Sequence, residues 1–264
     1  MIKPESYERL KVSRDGRITT VAINRPDALN AVDALTHEEL ARVFYELDND
    51  AETDIVVLTG EGEHFCAGGD IKWMQESADD PSAGPAAAEA KRIIFGLLDI
   101  EKPVIAKVRG SAIGLGATLA LFCDVVFATE DAKIADPHVR VGIVAGDGGA
   151  VIWPQLIGFA RAKEYLMTGD ILTGAEAARI GLVNHAVPAA DLDARVDAFA
   201  KKLAGGAQRA IRYTKVAVNL GLKQVANAVF ETSLAYEMNT FHTADHREAV
   251  AAFLEKRKPA FTGK

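Results

Sequence analysis

Cysteine is scarce: Cys66 and Cys123 are the only two, far apart and in no metal-ligand spacing. That excludes a disulfide framework and a cysteine zinc site, and it fits a reducing cytosol. Long apolar runs are missing as well; none reaches the ~18 residues that a membrane span needs. "MIKPESYERLKVS" is too polar for a secretory leader, so a cytoplasmic protein is expected. Nor is charge of one sign concentrated anywhere. The net charge of −7 argues against nucleic acid or an anionic membrane as the main partner. There is no G-x-x-x-x-G-K-[ST] loop, and Gly114-Leu115-Gly116 lacks the third glycine of a dinucleotide fingerprint. No metal site and no resident cofactor are expected.

What is present is a 264-residue chain that is 49% apolar and 25% charged, enough for a sizeable core. "ITTVAINR" (Ile18–Arg25) reads as a strand between Asp15-Gly16 and Pro26. A helix follows, opened by Asp33 or by a capping box at Thr36 and Glu39. Its apolar stripe is Leu40, Val43, Phe44 and Leu47. Further strands are expected at Asp54–Gly60, Pro103–Gly110 and Cys123–Glu130. Strands alternating with helices predict an α/β fold with a buried sheet. "ESADDPSAGPAAAEA" reads as a long surface loop or a lid. From about Ala160 strands are expected to stop, leaving a helical tail that must pack on the body or on another subunit.

Two strand ends carry glycine clusters. In "HFCAGGDIKWM", Ala67, Gly68 and Gly69 let backbone approach a ligand closely, and a helix is expected to begin around Asp70. In "GSAIGLGATLALFCD" strand, glycine turn and helix follow again. Set side by side, the turns would aim two backbone N–H groups at one oxygen, an oxyanion hole aided by a helix dipole. Either turn alone is equally a place of tight helix–strand packing.

"INRPDALNAVD", "LTGEGEHFCAGGDIKWM", "KPVIAKVRGSAIGLGATLALFCDVVFATEDAKI", "TGDILTGAEAARIGLVNHAVP" and "AAFLEKRKP", in that order, resemble the crotonase (enoyl-CoA hydratase/isomerase) family over nearly the whole chain. The resemblance implies a spiral of ββα units over residues 1–200 and a helical trimerisation region over 201–264. It implies a homotrimer or homohexamer, and an acyl-CoA thioester as substrate, with coenzyme A entering only as part of it. The thioester oxygen would be held by the amides of Gly69 and Leu115, the latter where the family usually has glycine. Arg25, Lys72, Phe253 and Lys256 are the candidates for the coenzyme A moiety; the last two equally suit a solvated helix end.

Hydratases of the family use two glutamates. The matching positions here hold Thr118 and, after Pro137, His138. A threonine orients water but takes no proton at neutral pH. "DPHVRVGIVAGDGG" offers His138 and Asp147 instead, a base and a carboxylate that can fix its tautomer. Asp147 could equally cap the next helix, and His138 could be a buried residue satisfied by backbone. The resemblance thus implies hydration or double-bond isomerisation. Two alternatives stand beside it: hydrolysis of a carbon–carbon bond in a β-dicarbonyl compound by His138 and Asp147, and silent binding of acyl-CoA. A His/Asp pair at this spacing resembles the branch that cleaves cyclic diketones, whose further histidine on the second glycine turn is absent here. Cys66 reads as a small packing residue.

Overall fold

The computed structural model describes residues 2–79 and 84–264. The chain begins with a hairpin, β1 (Leu10–Asp15) and β2 (Ile18–Ile23), turned at Asp15-Gly16 and followed by α1 (Ala34–Asp48). The pattern then repeats. β3 (Ile55–Gly60) leads to α2 (Ile71–Asp79) and α3 (Ala87–Asp99). β4 (Val104–Val108) and β5 (Ser111–Ile113) lead to α4 (Leu115–Leu121). β6 (Val125–Thr129) and β7 (Lys133–Ala135) lead, past a 3₁₀ turn at His138–Val141, to α5 (Gly149–Ile157) and α6 (Phe159–Thr168). These are the expected ββα units.

Among the described residues the larger sheet runs β1-β2-β3-β4-β6-β9, parallel from β2 onward, with β9 at His185–Val187. The second strands of the units form a smaller sheet, β5-β7-β8, with β8 at Leu172–Thr173. Strands therefore do not stop at Ala160. β8 and β9 close the two sheets, and at two and three residues they are too short to show a period. The final segment is α7 (Gly174–Ile180), α8 (Leu192–Ala204), α9 (Gln208–Thr240) and α10 (Ala244–Leu254).

Alternation along the buried strands divides the core. Val56 and Leu58 of β3 face the main cluster, which α1, α3, α4 and α5 cover with residues such as Phe44, Ile94, Leu119 and Trp153. Ile55 and Val57 point the other way, with Ile105 and Phe127, against Leu192, Val196 and Ala200 of α8. Alpha-9 sends Ala226, Phe230 and Leu234 into the main cluster. Residues 201–264 thus share the core of the rest.

Two local expectations need correction. Asp33 caps α1 by accepting from the Thr36 amide at 2.8 Å, so no Thr36–Glu39 capping box forms. Glu39 instead accepts from the amides of Glu8, Arg9 and Leu10, anchoring the start of β1. The expected irregular stretch over 76–90 shrinks, because α2 runs to Asp79 and α3 starts at Ala87. Residues 80–83 of it lie outside the described residues.

Candidate active site

The two glycine turns lie side by side because backbone bonds stitch them together. Cys66 donates to Ser111 O at 2.8 Å and accepts from Ile113 N–H at 3.0 Å. Cys66 is fully buried, and burial pushes its thiol up to about 12, which suits a packing residue. Ala67 N–H goes to Leu29 O, and Gly68 O accepts from Val32 N–H. Neither the Gly69 nor the Leu115 amide has a backbone acceptor among the described residues, Leu115 being the first residue of α4. Both residues line one cleft, open to solvent on one side. Gly114, at φ +55°, turns the chain there, and a Cβ on it would meet the His138 ring at 3.6 Å. Gly116 packs α4 against Cys66, the structural use of glycine that was also open.

His138 and Asp147 reach the same cleft, and the fold adds two acids to them. His138 Nδ1 hydrogen-bonds Asp136 Oδ1, and its Nε2 lies 3.6 Å from Asp147 Oδ2. Asp147 also accepts from Thr118 Oγ at 3.3 Å, which orients its carboxylate. The helix after Asp147 takes Gly148 as its N-cap, without a side-chain bond, and Asp147 lies one residue before it, its carboxylate near the Gly149 N–H. The other acid is Glu237, from the C-terminal part of α9. It lines the cleft because Gly146 lets the loop meet α9: a Cβ there would lie 2.6 Å from Glu237 Cβ.

All four side chains are buried, so their charges govern one another. Burial alone would lower the His138 pKa, but Asp136 and then Asp147 outweigh it and hold it well above the ordinary histidine value. Burial raises Asp147, with His138 opposing. Burial, reinforced by the Asp147 charge, pushes Glu237 well above the glutamate range. Asp136 Oδ2 and Glu237 Oε2 find no hydrogen-bond partner in the described structure. These shifts favour a charged imidazole between Asp136 and Asp147 and a neutral Glu237 carboxyl.

A second histidine lines the cleft. His37 Nδ1 bonds Glu89 Oε2 at 2.8 Å, and its ring lies 5.6 Å from that of Trp73. Burial lowers its pKa, against the pull of Glu89, which favours the neutral ring.

The candidates for the coenzyme A moiety divide. Arg25 is occupied inside the fold: it pairs with Asp33 at 3.3 Å and Asp70 at 2.9 Å and donates to Ala31 O. It clips the loop after β2 to the first glycine turn. Lys72 is exposed in the first turn of α2 and has no ion pair among the described residues. Phe253 (62% exposed) and Lys256 lie at the end of α10, which packs on α2. The signals missed in sequence are Asp136, two residues before His138, and Glu237 and His37, which sit in ordinary helical stretches.

Comparison with known proteins agrees with this architecture. The family model described as enoyl-CoA hydratase/isomerase matches residues 13–264. A short-chain-enoyl-CoA hydratase of Clostridium acetobutylicum is 37% identical over 253 residues, covering 94% of this chain and 95% of that protein. The crystal structure of an enoyl-CoA hydratase/isomerase from Mycobacterium paratuberculosis matches with a TM-score of 0.88 at 37% identity, over 92% of this chain and 97% of that one. A β-diketone hydrolase from the cyanobacterium Anabaena, bound to (S)-3-oxocyclohexyl acetic acid, matches with a TM-score of 0.81 at 31% identity, over 90% and 96%. The chain belongs to the enoyl-CoA hydratase/isomerase family, within the crotonase superfamily.

Proposed function

We propose that the protein is an acid–base enzyme acting at the carbon next to the thioester carbonyl of an acyl-CoA, shifting a double bond or adding water across it. One observation carries this reading: Asp147, His138 and the free amides of Gly69 and Leu115 line a single cleft. The two amides receive the negative charge that develops on the thioester oxygen. Asp147, made more basic by burial, takes the proton. In isomerisation it removes the α-proton of a β,γ-unsaturated thioester, the electron pair moves to the oxygen, and the proton returns at the γ-carbon. In hydration it takes the proton of a water whose oxygen bonds the β-carbon, and protonated Glu237 or His138 supplies the α-proton. Asp147 and Glu237 thus stand for the two glutamates from different elements.

Lys72 and Lys256 serve the coenzyme A phosphates, while Arg25 acts on the loop. The exposed Tyr213, Val218, Leu220 and Tyr236 of α9 are faces open to a trimer or a pair of trimers. Among the described residues no helix is long and apolar enough to cross a membrane, which is consistent with a cytoplasmic enzyme.

Hydrolysis of a β-dicarbonyl carbon–carbon bond is the second reading. It is favoured by the imidazole between two carboxylates and by the likeness to the β-diketone hydrolase. The test is incubation with crotonyl-CoA, followed by loss of the conjugated thioester absorbance, beside the same assay on a cyclic 1,3-diketone followed by loss of its enol absorbance. Turnover of crotonyl-CoA that disappears in Asp147→Asn supports the first reading. Turnover of the diketone alone replaces it with the second.

A further inference from the structure

The cleft holds polar groups that the proposed chemistry does not use. Trp73, Met74, Ile143, Leu234, Met238 and Phe241 give it an apolar lining, as an alkyl chain would require. Yet His37 of α1 and Ser77 of α2 also face it, from elements other than those that carry His138, Asp147 and Glu237. Both are buried, His37 at 3% and Ser77 at 4% exposure.

The hydrogen-bond inventory fixes what these two groups offer. A carboxylate only accepts, so the contact with Glu89 places the His37 proton on Nδ1. Neutral His37 then presents the lone pair of Nε2, which has no partner among the described residues. The Ser77 hydroxyl donates to Trp73 O at 2.7 Å, so its free capacity is also a lone pair. Two acceptors thus face the cleft from α1 and α2, beside the Trp73 indole. His138, Asp147 and Glu237 line the same cleft from other elements, with His138 shifted toward its charged form and Glu237 toward its neutral one. A plain alkyl group would leave His37 Nε2 without a hydrogen bond and the second acceptor site of the Ser77 hydroxyl unused, which is unfavourable.

We propose that His37 and Ser77 form a specificity subsite for a hydrogen-bond donor, and that the acyl group of the substrate carries a hydroxyl. This inference rests on the acyl-CoA reading above and deepens it by naming the acyl class. A site built around buried acceptors discriminates strongly against the analogue that lacks the donor.

The test uses saturated thioesters, so that binding is measured apart from turnover. Butyryl-, pentanoyl- and hexanoyl-CoA are titrated calorimetrically against the ω-hydroxylated counterpart of each. The hydroxylated member of at least one pair is expected to bind about tenfold more tightly. His37→Phe should bring that pair to nearly equal affinity, and Ser77→Ala, the gentler change, should narrow the gap. Equal binding within all three pairs, or a preference that survives both substitutions, overturns the subsite and leaves the acyl-CoA reading standing. Binding of none of the six overturns both.

Discussion

The cleft holds two buried histidines, each hydrogen-bonded through Nδ1 to a carboxylate, and their pKa values are shifted in opposite directions. His138 is held above the ordinary histidine range, and His37 is pulled below it. Burial acts on both in the same direction, so the partners decide. His138 has the fully buried Asp136 on one nitrogen and Asp147 near the other, with Glu237 close by. His37 has only Glu89, whose side chain is 29% exposed and screened by water. One carboxylate at the surface fixes a tautomer; two in the interior fix a charge. The wall with the charge is suited to moving protons, and the wall without it to recognising them.

The sharpest way to break this contrast is at the charged wall. Asp147→Asn removes the base and leaves the shape, and turnover is expected to fall by roughly 10²–10⁴-fold. Steady-state rates on crotonyl-CoA, or on whichever thioester proves to be the substrate, check it. Next comes Asp136→Asn, which removes the largest contribution that keeps His138 charged. Its imidazole should then titrate at lower pH while His37 stays where it is, as ring-proton NMR would show.

A third change tests Glu237 through stability. Its folded pKa is raised, so the favourable contribution of its protonated form is complete below the unfolded value of about 4.3. That contribution is lost as pH rises toward the folded value. Glu237→Gln, neutral at every pH, should therefore raise Tm at pH 7 and change it little at pH 4, by roughly 2–4 °C for each kcal/mol. A Tm gain independent of pH would contradict the burial of a titrating acid. The smallest effect is expected at the neutral wall. Glu89→Gln keeps a carbonyl acceptor for the His37 Nδ1–H but removes the charge that opposes burial, and the measurement is whether His37 titrates lower still without loss of catalytic rate.

How much of this was legible in the sequence follows from how local each feature is. The glycine turns were readable because a strand end, two glycines and a helix start lie within one short segment. Their adjacency, made by Cys66 pairing with Ala112, was a supposition in the sequence, supported by the family resemblance alone. His138 and Asp147 stood out for being nine residues apart in a glycine-rich loop. Asp136 was as close to hand, but its role depends on burial, which no pattern of charges prints. Glu237 was beyond reach: it lies on the 33-residue α9, 90 positions from Asp147 and among residues that read as an ordinary helix face. His37 was hidden in the same way, within what reads as a helix start. Arg25 shows the opposite error, a cation that looked available and that Asp33 and Asp70 had already taken.

The central claim is that this cleft forms an enolate, with Asp147 as base and the Gly69 and Leu115 amides holding the oxygen. Exchange of the α-protons of butyryl-CoA in D₂O, followed by NMR, reads that step without requiring the natural substrate. The claim predicts deuterium at the α-carbon with the native protein and its loss in Asp147→Asn. No exchange with butyryl-CoA bound, or exchange that Asp147→Asn leaves unchanged, would contradict it.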